Sequence, residues 1–188
     1  MKGIKRAFDQ MVQLSEADWH FFASKLQKKG VPKKSLLLKL QQTEQQLSFL
    51  ERGMVRYYIP KEENDLTFGF SFEGEFVAAY DSFLTQRPSH YQIETLAPTV
   101  LWQISHQDLQ EVYAQTQQGI EIGRLMAEQL FLKKSKRELA LLNQSAEERY
   151  LNLFEERPEL ILQIPLKYIA SYIGITPQAL SRIRKRIS

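Results

Sequence analysis

Near the end of the chain, four residues carry side chains suited to reading an ordered polar surface: Thr176, Gln178, Ser181 and Arg182. Glutamine presents a donor beside an acceptor and matches adenine, while arginine presents two parallel donors and matches guanine. Arg184, Lys185 and Arg186 follow directly. Cations in that position suit phosphate oxygens, which fix register without reading bases. Residues 182–188 hold four positive charges and no negative one. The plain alternative is a solvated helix end, where cations complement the helix dipole.

Such side chains need a rigid mount, and residues 166–184 supply one as helix, tight turn, helix. Ile169 and Ile173 lie four apart on the inner face of the first helix. Ala170 is small enough for a second helix to approach. Gly174 supplies the left-handed backbone of the turn, and Ile175 fills the angle between the helices. Thr176 caps the second helix, Pro177 takes its first position, and Leu180 and Ile183 complete the shared core. Together these fit a helix-turn-helix that enters the major groove of double-stranded DNA.

Charge divides along the chain in the same sense. The net +3 resolves into −2 over residues 1–132 and +5 over residues 133–188. Upstream of the basic part, residues 117–143 have helical periodicity. Ile122, Leu125, Leu132 and Leu139 recur at heptad-like spacing, Gln129 and Lys136 interrupt, and Met126 and Leu130 widen the stripe. Such a helix has too much apolar surface to stand alone: it packs on its own β domain or pairs with its copy, and the helix-turn-helix that follows favours pairing, through Ile122, Leu125, Met126, Gln129 and Leu132. Ser145 with Glu148 forms a capping box for a further helix.

Residues 35–105 read as β. Strands are expected at 47–50, 55–59, 66–72, 75–80, 91–96 and 99–104, with Gly53 and the polar stretch 60–65 as turns. The glutamines at 41–42 and 45–46 read as a polar loop. Ser15 to Leu26 reads as a helix that breaks at Gly30-Val31-Pro32. Many short strands at this spacing imply a sandwich or small barrel in which each strand buries one face.

Composition narrows the chemistry. Hydrophobic residues make up 43% of the 188, enough for a packed core. The absence of cysteine excludes disulfides, thiolate metal sites and cysteine nucleophiles. His20, His90 and His106 lack ligand-like spacing, so no metal site is expected. No nucleophile elbow, phosphate loop or dinucleotide fingerprint is present, so no catalytic residue is assigned and the protein reads as a non-enzyme. The basic start at residues 1–9 leads into no apolar run, and no membrane span is expected, so the reading is cytoplasmic.

On the segments 169–182 and 72–76, and on the order of the whole chain, the sequence resembles the Crp/Fnr family of transcription regulators. The resemblance implies the α+β class: an N-terminal double-stranded β-helix, or jelly roll, over residues 1–115 as a cyclic-nucleotide-binding-like sensor domain, a long dimerisation helix over 116–143, and an all-α helix-turn-helix domain over 144–188. It also implies a homodimer, a palindromic DNA site, and RNA polymerase as a further partner. It places the effector pocket at Phe70, Phe72, Glu75, Phe76, Ala79, Tyr80, Arg87, Ser89, His90 and Tyr91. Cyclic-AMP-binding members carry a ribose-binding glutamate and a phosphate-binding arginine. Alignment on Phe76 and Phe83 puts Ala79 and Ser89 in those places, and His90 where a small hydroxyl residue is usual. The expectation is therefore no cyclic AMP binding in the family manner, with any effector a small molecule of another kind. The sequence ends at Ser188, so the family's wing hairpin is expected to be absent. The competing readings are a module of the same fold that senses or binds proteins without binding DNA, and a regulator whose β-roll is filled by its own aromatics.

Overall fold

The structure, a computed structural model, describes residues 1–12 and 14–187, and Ser188 of the basic end lies outside them. The chain divides into two compact units, Met1–Tyr58 with Phe70–Glu128, and Ile59–Gly69 with Gln129–Ser188.

The first unit is a jelly roll with helices. The elements from the start of the chain run α1 (Lys2–Asp9), α2 (Glu16–Ser24), β1 (Gln27–Val31), β2 (Leu36–Leu38), β3 (Gln46–Arg52), β4 (Met54–Ile59), β5 (Leu66–Phe72), β6 (Phe76–Val77), α3 (Tyr80–Thr85), β7 (Gln92–Thr95), β8 (Thr99–Ser105) and α4 (His106–Gln115), with the end of β4 and the start of β5 falling in the second unit. Two four-stranded sheets form, ordered β1-β8-β3-β6 and β2-β7-β4-β5. Leu38, Leu50, Val55, Val77, Ala79, Ile93 and Leu101 make one buried cluster. A second cluster packs Ile4, Phe8, Trp19, Phe22, Leu109, Val112 and Ile122 on Leu47, Phe49, Phe83 and Ile104. Amphipathic helices covering one face of a sheet are the usual way to bury both stripes at once.

Local chemistry explains the joints. Ser15 accepts from the Asp18 N–H and Ser105 from the Asp108 N–H, so both helices begin on a capped turn. Gly53 has φ of +108°, and a Cβ there would stand 2.5 Å from the Thr99 hydroxyl. Only glycine fits that turn between β3 and β4.

Three expectations are corrected, and one helix was not expected at all. Residues 2–9 are helical, and their apolar face (Ile4, Phe8) was too short to stand out among the charges. Gly30 and Val31 belong to β1, where pairing with Val100 and Thr99 overrides the breaking tendency of glycine. The polar loop ends one residue early, because Gln46 pairs with Ser105 in the ladder of β3 and β8. The strand expected at 75–80 is only Phe76–Val77, and Tyr80 opens α3 instead.

The second unit holds the hairpin tip 59–69 and the C-terminal helices. These are the later part of α5 (Gly119–Asn143), α6 (Ala146–Glu156), α7 (Pro158–Gln163), α8 (Leu166–Tyr172) and α9 (Pro177–Ile187). Its core is Tyr150, Leu153, Leu160, Ile164, Ile169, Ala170, Ile173 and Leu180, all buried. The Ser145 and Glu148 capping box is present, with both reciprocal bonds made. Among the described residues no helix is long and apolar enough to cross a membrane.

Candidate nucleic-acid interface and effector segment

The turn between α8 and α9 follows from its residues. Gly174 has φ of +81°. The Ile175 N–H reaches back to the Ala170 carbonyl at 2.9 Å, and the Gly174 N–H to that of Ser171 at 3.1 Å. This pair of bonds ends a helix through a left-handed glycine. The Thr176 hydroxyl then accepts from the Ala179 N–H at 3.2 Å, and Pro177 starts α9. Ile169, Ala170, Ile173 and Leu180 lock the two helices together.

Three further contacts hold α8. Arg137 of α5 donates to the Tyr172 carbonyl at 3.0 Å, and Arg149 of α6 to the Ile173 carbonyl at 2.9 Å. Carbonyls at a helix end lack intrahelical partners, so two guanidinium groups satisfy what the helix leaves open. Burial pushes the Arg137 guanidinium below its ordinary value, against the favourable field of Tyr172. On another side, the Ser171 hydroxyl accepts from the Thr67 N–H and donates to the Asp65 carbonyl, both at 2.8 Å. Sequence reading found none of Arg137, Arg149 or Ser171, because nothing local marks a side chain that bonds a backbone far along the chain.

With its inner face packed, α9 turns the rest outward. Thr176, Gln178, Ser181, Arg182, Arg184, Lys185 and Arg186 are all exposed. Arg186 pairs with Glu147 of α6, so that cation has an internal competitor.

The expected dimer residues differ among themselves. Ile122 is buried in its own unit, Leu125 and Met126 are half-buried, and Gln129 is exposed. Further along α5, Leu132 is 66% exposed, Leu139 55% and Leu142 75%.

The segment expected to hold an effector is arranged otherwise. Phe70, Ala79 and Ser89 are buried, Ala79 and Ser89 at 0% exposure. Phe72, Glu75, Phe76, Tyr80 and Tyr91 are half-buried, whereas Arg87 and His90 are exposed. The Ser89 hydroxyl donates to the Tyr91 carbonyl at 2.9 Å and accepts the Tyr91 N–H at 3.2 Å. The Tyr91 phenol donates to the Asp81 carboxylate, and burial raises that phenol well above its ordinary value. Phe76 packs among Phe8 and Phe49, at ring distances of 5.6 and 5.3 Å. A cavity of about 170 Å³ lies in the roll, lined in part by Leu38, Glu44, Ser48, Val77, Ile93 and Gln103. None of the ten expected effector residues lines it. Glu44 was not singled out in the sequence. It stands among glutamines before a strand, and only the fold shows it buried. Among the described residues no cluster of three metal-binding side chains occurs.

Residues 28–116 match the cyclic nucleotide-binding domain family. Curated protein sequences gave no match. The fold is similar to that of the c-di-GMP-responsive global regulator CLP of Xanthomonas campestris. That likeness has a TM-score of 0.70 and 17% identity, over 92% of this chain and 91% of that one. It is also similar to a transcriptional regulator of the Crp/Fnr family from Eubacterium rectale, with TM-score 0.73, 16% identity, and 93% and 83% of the two chains covered. FixK2 of Bradyrhizobium japonicum gives TM-score 0.73 at 15% identity, over 86% and 84% of the two chains.

Proposed function

We propose that this chain, whose residues 28–116 match the cyclic nucleotide-binding domain family and whose fold is similar to that of a Crp/Fnr regulator, is a homodimeric, sequence-specific DNA-binding regulator of transcription. The observation that carries the reading is the α8–α9 pair. Its buried face is complete, and its outward face presents Gln178, Ser181 and Arg182 on the first turns of α9 with a basic end behind them. A helix presented by its N-terminal residues is the geometry that reaches base edges. Gln178 and Arg182 make the base contacts, and Lys185 with its basic neighbours meets phosphates.

The apolar residues Leu132 and Leu139, seven apart, with Leu142 one turn on, support a dimer through α5, since exposed leucines along one helix gain most by facing their own copy. Two-fold symmetry then requires a palindromic site with half-sites roughly 34–36 Å apart, about one DNA turn. Leu132→Glu is expected to shift the protein to monomer in sedimentation velocity and to abolish binding to the full site. The decisive experiment is selection of bound sequences from a random DNA pool. A palindromic consensus is the expected result. No enrichment over the starting pool would remove the DNA-binding reading.

A further inference from the structure

Residues 41–46 form a strap across residues 79–89. The Gln41 N–H donates to the Ser89 carbonyl at 2.8 Å, and the Ser89 N–H to that of Gln42 at 3.0 Å. Thr43 bridges to Pro88. The Glu44 N–H donates to the Ser82 hydroxyl at 3.0 Å, which in turn donates to the Arg87 carbonyl. Gln86 donates through its side chain to the Glu44 carbonyl at 3.3 Å. At the centre of the strap, the Glu44 carboxylate accepts the Ala79 N–H at 3.2 Å and the Gln46 N–H at 3.1 Å, within a residue that is only 8% exposed.

A buried carboxylate is costly unless hydrogen bonds satisfy it, and those from backbone N–H to an anion are among the stronger ones. Here the strap and the segment satisfy each other. We propose that Glu44 is a resident anion: its carboxylate takes the Ala79 N–H, a donor that an acidic effector group seated against residues 79–89 would need, and with the strap it holds that segment closed without a ligand. An external phosphate would have to displace a carboxylate tethered in the same chain, at an effective concentration that free ligand rarely matches. Should the carboxylate stay, the phosphate would meet a like charge. This deepens the proposed function, on which it rests for its consequence: the DNA-binding activity needs no nucleotide.

The test is amide hydrogen exchange on the full chain, read by mass spectrometry. Wild-type protein should show unchanged protection over residues 79–89 when millimolar cyclic AMP, cyclic di-GMP or inorganic phosphate is added. Glu44→Ala should exchange at least tenfold faster over residues 79–89. Glu44→Gln keeps the shape but sets an NH2 group against one of the two donors, so it should fall between the two. It also serves if the alanine variant does not fold. Protection gained by wild type on adding any of the three compounds overturns the proposal. So does exchange at the wild-type rate in both variants. Failure of the DNA selection would leave these exchange results standing, so the two readings fail separately.

Discussion

The outward face of α9 and the segment 79–91 use the same kinds of residue, serine, arginine and glutamine, to opposite ends. On α9 the fold packs the apolar side and leaves Gln178, Ser181, Arg182 and Lys185 at the surface. In the segment, Ser82, Gln86, Ser89 and Tyr91 bond to the chain's own backbone or to Asp81. Polar groups left outward are available to a partner. Polar groups bonded internally are part of the scaffold, and a ligand must first break those bonds. On the proposed reading, partner recognition lies in α8 and α9 and self-sufficiency in the roll.

The largest effect expected is on the mount itself. Leu180→Ala removes a fully buried side chain between α8 and α9. It should cost about 2–5 kcal/mol of stability and most of the DNA affinity. Urea denaturation beside DNA titration checks this, and unchanged affinity would mean that α9 does not depend on α8. Arg182→Ala leaves the mount intact and should cost about 1–3 kcal/mol on the selected site while relaxing preference at one base pair. Equal loss on all sequences would reassign Arg182 to phosphate. Lys185→Ala should weaken all sequences alike and reduce the slope of log affinity against log salt by about 1.

The smallest effect concerns the roll. Burial raises the Glu44 carboxyl above its ordinary 4.5, against the opposing N–H groups of Ala79, Gln46 and Gln45. The unfolded chain therefore loses this proton first. The stability Glu44 contributes is full below its unfolded value and is lost as pH rises through the higher folded value. Thermal melts of wild type should thus lose ground to Glu44→Gln as pH rises above the ordinary 4.5. A difference that stays constant with pH would show that the carboxyl titrates alike in both states.

Legibility in the sequence followed the range of the interactions. The turn of the head could be read because glycine, threonine and proline act on their immediate neighbours, and Gly174, Thr176 and Pro177 do what their types require. The strands with alternating or β-branched residues could be read for the same reason. Ser171 bonding Thr67 and Arg137 bonding Tyr172 could not, since each partner lies far away in sequence and either residue would look equally ordinary on a surface. Glu44 is the sharpest case. The resemblance drew attention to Ala79 and Ser89 as places where ligand-binding side chains are missing. The fold adds that an acid from another loop bonds the Ala79 backbone.

One titration tests both halves of the comparison together. Exhaustively dialysed protein is added to its selected DNA site and followed by fluorescence anisotropy, with and without millimolar cyclic AMP or cyclic di-GMP. The account predicts binding without nucleotide and the same Kd in every arm. Binding that appears only with a nucleotide, or a Kd that shifts tenfold on adding one, would contradict it.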